Sequence, residues 1–117
     1  KAVCYVLTKL NIHYTLISRE KQSFCLTYSD INSEILGKTR LIINTTPLGM
    51  YPETKSKPDL NYDLLGSRHI LFDLVYNPEI TEFLKIGKER GCTVLSGIKM
   101  LHSQAERSWG IWNNDAL

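Results

Sequence analysis

Ile70-Leu71-Phe72-Asp73-Leu74-Val75-Tyr76-Asn77-Pro78 decides the architecture of this chain. The run is apolar with no polar alternation, and it stops at Asn77-Pro78, a turn signal. A strand with one wet face alternates; a strand without alternation is buried on both faces, the habit of parallel sheets covered by helices. Leu41-Ile42-Ile43-Asn44 repeats the pattern ahead of the turn-rich stretch Thr45 to Pro58, and Thr93-Val94-Leu95 repeats it again. His13-Tyr14-Thr15-Leu16-Ile17-Ser18 reads as a further buried strand, and Leu26-Thr27-Tyr28 as a short one.

Helical patterns fill the intervals. Val3, Val6, Leu7 and Leu10 follow i, i+3, i+4, i+7 spacing, and Asn11 supplies a stop. Asp30 to Leu36 predicts a brief helix ending at Gly37. Thr81 caps a helix through Arg90, with Ile80, Phe83, Leu84 and Gly87 on its inner face and Gly91 as its left-handed terminator. A long helix follows Gly97 and runs to about Trp112, with Trp109 and Trp112 as packing anchors. Strands alternating with helices predict an α/β, doubly wound, mostly parallel sheet.

Bulk properties bound the function. At 117 residues the chain is expected to form one domain, residues 1–117, with a real core. No apolar run approaches the ~20 residues of a membrane helix, so no membrane partner is expected. The net charge of +2, without a basic stripe, gives no reason to expect nucleic acid. Cys4, Cys25 and Cys92 are widely spaced and read as buried thiols of a reducing compartment, the cytoplasm. His13, His69 and His102 form no metal-type pair and read as turn or surface residues; no metal is expected. Lys1 already lies inside a helical pattern with no cap before it, so the chain is expected to be a fragment that begins within an element.

In open parallel sheets, ligands bind beyond the carboxyl ends of the strands, so the residues just after each strand are the candidates. His13–Ser18 ends in Ser18-Arg19-Glu20-Lys21. A basic residue after such a strand accommodates a 2′-phosphate, and Arg19 offers a planar fork for it, with Ser18 and Lys21 as further donors. The alternative is a solvated charged loop, and Glu20 opposes the preference. Asn44, Thr45 and Thr46, with Pro47 and Gly49, form a turn able to face a ribose, or an ordinary turn. Tyr76 stands at a strand tip, able to reach a ligand with its hydroxyl or to cap the core edge. Gly97, Met100 and Gln104 share one helical face at i, i+3 and i+7. Glycine allows close approach, methionine offers a soft apolar surface, and glutamine both donates and accepts. The alternative is a core helix with one exposed amide.

Three phrases in order, Ile43 to Met50, Asp73 to Pro78 and Gly97 to Ala105 leading into Trp112, resemble the carboxy-terminal NADP-binding domain of shikimate dehydrogenases. The resemblance covers nearly the whole chain. It implies a Rossmann-like domain whose first strand and glycine-rich loop are missing here, and an enzyme that reduces 3-dehydroshikimate to shikimate with NADPH. It implies that Gly97, Leu74 and Met100 flank the nicotinamide, that Tyr76 and Gln104 reach the substrate, and that Ser18 and Arg19 hold the 2′-phosphate. Where the family often has a further arginine, Ser23 stands here, with Lys21 nearby. The segment between Arg19 and Asn44 is short for the family, which implies a reduced helix there. The family's catalytic lysine and aspartate belong to an amino-terminal domain, so no residue here is assigned a catalytic role, Lys99 and Asp73 included. The chain by itself is expected to be inactive. A homodimer is one assembly this reading allows. An NAD-preferring quinate/shikimate dehydrogenase and a non-catalytic nucleotide-binding module are the alternatives.

Overall fold

The computed structural model describes residues 1–113. They fall into two compact units, one from Lys1 to Lys38 and one from Thr39 onward.

The first unit opens with α1 (Ala2–Lys9), which leaves its axis at Asn11, in the left-handed region at φ 55°. Val3 and Leu7 are half-buried, whereas Val6 and Leu10 of the expected apolar stripe are exposed. β1 (Leu16–Ser18) and β2 (Cys25–Thr27) pair in parallel, with Leu16 opposite Cys25 and Ser18 opposite Thr27. β1 is shorter than the expected His13–Ser18, pairing only over Leu16–Ser18, and it is not buried: Tyr14 and Leu16 are exposed and Ile17 and Ser18 half-buried.

Parallel neighbours ordinarily need a crossover of about a dozen residues; residues 19–24 suffice here. A turn closed by the Cys25 N–H on the Gln22 carbonyl (3.2 Å) brings the chain around, with Phe24 left-handed at φ 68°. Tyr28, expected to end the strand, instead starts a 3-10 turn, because the Asp30 carboxylate accepts both the Thr27 N–H (2.8 Å) and its hydroxyl (2.9 Å). Those bonds hold the Asp30 carboxyl below the usual range, with a smaller contribution from Lys21. α2 (Ser33–Lys38) therefore starts later than Asp30, with Asn32 Oδ1 accepting the Ile35 N–H (2.9 Å) as its cap. Gly37 lies within α2 rather than ending it. The helix spans six residues.

The second unit carries β3 (Leu41–Asn44), β4 (Ile70–Asp73) and β5 (Thr93–Leu95) in that order, all parallel. Asn44 stands opposite Asp73, and Phe72 opposite Leu95. α3 (Glu82–Glu89) packs on β4 and β5. Its cap is Thr81, whose hydroxyl accepts the Leu84 N–H (3.3 Å), and Gly91 ends it at φ 86°. Leu71, Phe83 and Leu84 form the fully buried centre. Gly87 has no side chain because a Cβ there would run into the Leu71 methyl. Ile80 precedes the cap and lies half in solvent, not on the inner face.

α4 (Ile98–Trp112) follows Gly97. Trp109 and Trp112 are 64% and 77% exposed, so they do not anchor packing. The expected strand through Tyr76 stops at Asp73, because the Asp73 carboxylate takes the Val75 N–H (3.0 Å) out of the ladder. His69 is a turn residue as expected, its N–H on the Gly66 carbonyl (3.0 Å) and its Nδ1 accepting the Gly66 N–H (3.1 Å), but it is buried and not on the surface. Cys92 is buried, but Cys4 and Cys25 are only half-buried. The fold is α/β with parallel strands throughout, and among the described residues no helix is long and apolar enough to cross a membrane.

Candidate functional site

β3 and β4 end side by side, and their last residues, Asn44 and Asp73, are polar and buried. Asn44 Nδ2 donates to Asp73 Oδ1 (3.1 Å) and to the Leu48 carbonyl (3.2 Å). Its Oδ1 accepts the Thr46 N–H (3.1 Å) and hydroxyl (2.6 Å). The amide is thus spent on folding the loop after β3, and Asn44 shapes the site rather than facing a ligand. Thr46 Oγ1 in turn accepts the Leu48 N–H (3.2 Å).

The loop continues through Gly49, left-handed at φ 92°, whose N–H donates to Ser56 Oγ (2.8 Å). The Tyr51 N–H then reaches the Asn77 carbonyl (3.1 Å) and joins this loop to the exit of β4. Between the two loops lies an open cleft of about 460 Å³. Thr45, Thr46, Pro47 and Met50 wall one side, and Leu74, Val75 and Tyr76 the other. Its lining is chiefly apolar with hydroxyls at hand, the kind of surface that holds a flat ring and orients a polar ligand.

Gly97 sits behind this cleft. Its N–H donates to the Val75 carbonyl (3.3 Å), and a Cβ there would collide with the Leu74 carbonyl oxygen. Only glycine lets the start of α4 lie directly on the strand exit. Met100 (half-buried) and Gln104 (exposed) continue that helical face, yet neither lines the cleft. Of the residues singled out from sequence, Thr45, Thr46, Leu74 and Tyr76 therefore meet at one cleft, and Gly97 supports it.

Ser18, Arg19 and Lys21 gather at the tip of β1, in the first unit. Ser18 Oγ accepts the Glu20 N–H and Gln22 Nε2, each at 3.4 Å, which organises the loop. Arg19 is exposed, and among the described residues nothing pairs with its guanidinium.

Met50, Tyr51 and Val75 line the cleft and Asp73 and Thr81 support it, and none of them was assigned a cofactor or substrate role from sequence. One signal pointed to them: Asp73 is the lone carboxylate in an apolar strand. It is fully buried, accepts from Asn44, Val75 and the Thr81 hydroxyl (2.6 Å), and burial pushes its pKa up against those three bonds.

No protein-family model matches the chain. A shikimate dehydrogenase (NADP(+)) of Methanococcus aeolicus is 33% identical over an alignment 126 positions long, gaps included, that covers 96% of this chain and 45% of the relative. One of Clostridium beijerinckii is 48% identical over 91 residues, 78% of this chain and 32% of the relative. The crystal structure of shikimate dehydrogenase from Aquifex aeolicus superposes with a TM-score of 0.79 at 30% identity, over 99% of this chain and 45% of that one. The chain thus spans 32% to 45% of the length of these relatives. It belongs to the shikimate dehydrogenase family and matches the carboxy-terminal portion of its members.

Proposed function

We propose that residues 1–117 are the NADP-binding domain of an oxidoreductase that reduces 3-dehydroshikimate to shikimate with NADPH. The observation that carries this is Arg19, an exposed guanidinium without a partner among the described residues, directly after a parallel strand. That position discriminates between dinucleotides, and a planar fork of donors suits a phosphate. Ser18 and Lys21 supply further donors to the same phosphate.

The donor chemistry of the second unit fits the remainder of the cofactor. Thr45 presents its hydroxyl toward a ribose, and Thr46 lines the cleft beside it with its own hydroxyl bonded to Asn44 and the Leu48 N–H. Leu74, Gly97 and Met100 flank the nicotinamide, and Tyr76 and Gln104 reach the substrate's hydroxyls and carboxylate. NADPH supplies the hydride; these residues bind, orient and exclude water. The cytoplasm, where Cys4, Cys25 and Cys92 stay as thiols, is the compartment this reading places it in, and a homodimer is the assembly to test.

An NAD-preferring quinate/shikimate dehydrogenase is the second reading, favoured by Glu20 beside Arg19. Both are tested on the protein expressed from its complete reading frame, by steady-state kinetics with NADPH and NADH. A charge-assisted bond is worth about 1.5–3 kcal/mol, so Arg19→Ala is expected to weaken NADPH about ten- to a hundredfold and leave NADH nearly unchanged. A wild type that prefers NADH, or an Arg19→Ala variant with an unaltered KM for NADPH, overturns the NADP assignment.

A further inference from the structure

Asp73 touches no open space. Its side chain is fully buried, and it stands behind the cleft rather than in it. Its bonds nevertheless reach the segments that carry both walls of that cleft. Oδ1 accepts from Asn44, whose amide folds the loop carrying Thr45 and Thr46. The same oxygen accepts the Val75 N–H and so turns Leu74 and Tyr76 out of the sheet. Oδ2 accepts the hydroxyl of Thr81, the cap of α3, and Gly49 lies so close on Thr81 that a Cβ would stand 3.2 Å from the threonine Cβ.

The fold has no need of a charge at this point. No Lys, Arg or His among the described residues makes an ion pair with Asp73, and the groups facing it are the Asn44 amide, the Val75 N–H and the Thr81 hydroxyl. An ionised carboxylate buried without a cation costs stability that a neutral amide of the same shape does not. What the charge gives in return is strength and direction, since hydrogen bonds to an ionised acceptor are about twice as strong as neutral ones.

We propose that Asp73 is a positioning residue: by clamping Asn44, Val75 and Thr81 together it holds both walls of the cleft at the spacing its ligands require. The proposal deepens the reading of the cleft as the meeting place of nicotinamide and substrate, and rests on it.

The test uses the protein expressed from its complete reading frame, with Asp73→Asn, Thr81→Val and Thr81→Ser variants. Each is measured for thermal unfolding, for NADPH affinity by fluorescence titration, and for kcat and KM in shikimate oxidation. Asp73→Asn is expected to unfold within a few degrees of wild type, with KM for shikimate and Kd for NADPH each raised at least fivefold and kcat changed less than either. Thr81→Ser, which keeps the hydroxyl, should behave like wild type, whereas Thr81→Val should share the loss. The double variant Asp73→Asn/Thr81→Val should lose less than the sum of the two, because both belong to one network.

A folded Asp73→Asn protein with wild-type KM and Kd overturns the proposal. So does a lower unfolding temperature with unchanged ligand constants, or a Thr81→Ser variant as impaired as Thr81→Val. A wild type that neither binds NADPH nor oxidises shikimate refutes the functional reading itself, a result distinct from all of these.

Discussion

Replacing Gly97 by alanine is the most direct test of how the site is built. The added Cβ would collide with the Leu74 carbonyl oxygen and stand 2.7 Å from the Leu74 carbonyl carbon and 3.0 Å from the Val75 oxygen. All three are backbone atoms, so no rotamer change relieves the clash. Either the start of α4 or the exit of β4 must move. Overpacking of this kind costs about 1–3 kcal/mol, and losing the long Gly97–Val75 hydrogen bond adds about 0.5–1 kcal/mol. Gly97 is the cap position of α4, where alanine has no propensity advantage to return, so the net loss is about 1.5–4 kcal/mol. At about 2–4 °C per kcal/mol for a protein of ordinary length, unfolding should fall by about 3–16 °C.

Two other glycines calibrate the result. At Gly87 the obstruction is the Leu71 side chain, itself fully buried, so Gly87→Ala should also destabilise, by about 1–3 kcal/mol. At Gly37 a Cβ meets nothing within 4 Å, inside α2, so Gly37→Ala should stabilise by about 0.5–1 kcal/mol. Thermal unfolding ranks the three, and KM for NADPH separates them further, since only Gly97 supports the cleft. A Gly97→Ala protein as stable as wild type, with its KM for NADPH unchanged, would refute the reasoning.

Gln104→Ala should raise KM for shikimate more than KM for NADPH; equal losses for both would remove Gln104 from the substrate side. The burial of Asp73 gives a signed dependence on pH. Its folded pKa lies above the ordinary 3.8, so the stability it contributes is complete below about that value and is lost as pH rises through the raised one. The unfolding temperature of Asp73→Asn relative to wild type should therefore become more favourable on going from about pH 4 to pH 7, and a constant difference would count against a raised pKa.

The strands and the long helices were legible because their signals are local. An apolar run without alternation marked each strand, although only β4 is covered as that pattern predicts while Leu16, Leu41 and Leu95 leave β1, β3 and β5 partly open, and Thr81 and Gly91 mark the ends of α3 by chemistry that needs no partner. The boundaries were harder wherever a side chain competed with the backbone. Asp73 ended β4 three residues early by taking the Val75 N–H, and Asp30 folded back on Thr27 and delayed α2. Neither event is visible in hydrophobic pattern. The exposure of Trp109 and Trp112 was misjudged because large aromatic rings suggest burial whatever surrounds them. At the site, Thr45, Thr46, Leu74 and Tyr76 were found by the rule that ligands sit past strand ends, while Met50 and Tyr51 were missed because their place depends on how one loop is tied to the next.

That tie explains why the cleft is walled by polar order rather than by core packing. Hydrophobic contacts at the tips of β3 and β4 would stabilise the unit at least as well, but they have no direction, and a loop resting on them could settle in several places. Asn44, Thr46, Asp73 and Thr81 instead satisfy one another, and among the described residues no buried side-chain nitrogen or oxygen lacks a partner. Each bond fixes an orientation as well as a distance. The carboxylate at the end of β4 reaches the cap of α3, the cap carries Gly49, and Gly49 belongs to the loop that Asn44 folds. This closed circuit makes the two walls of the cleft one mechanical object. A group displaced on the Thr45 side should be felt at Leu74 and Tyr76 through these bonds and through the Tyr51–Asn77 bond that joins the two loops, and a variant at Asp73 or Gly49 can alter ligand affinity while touching no ligand.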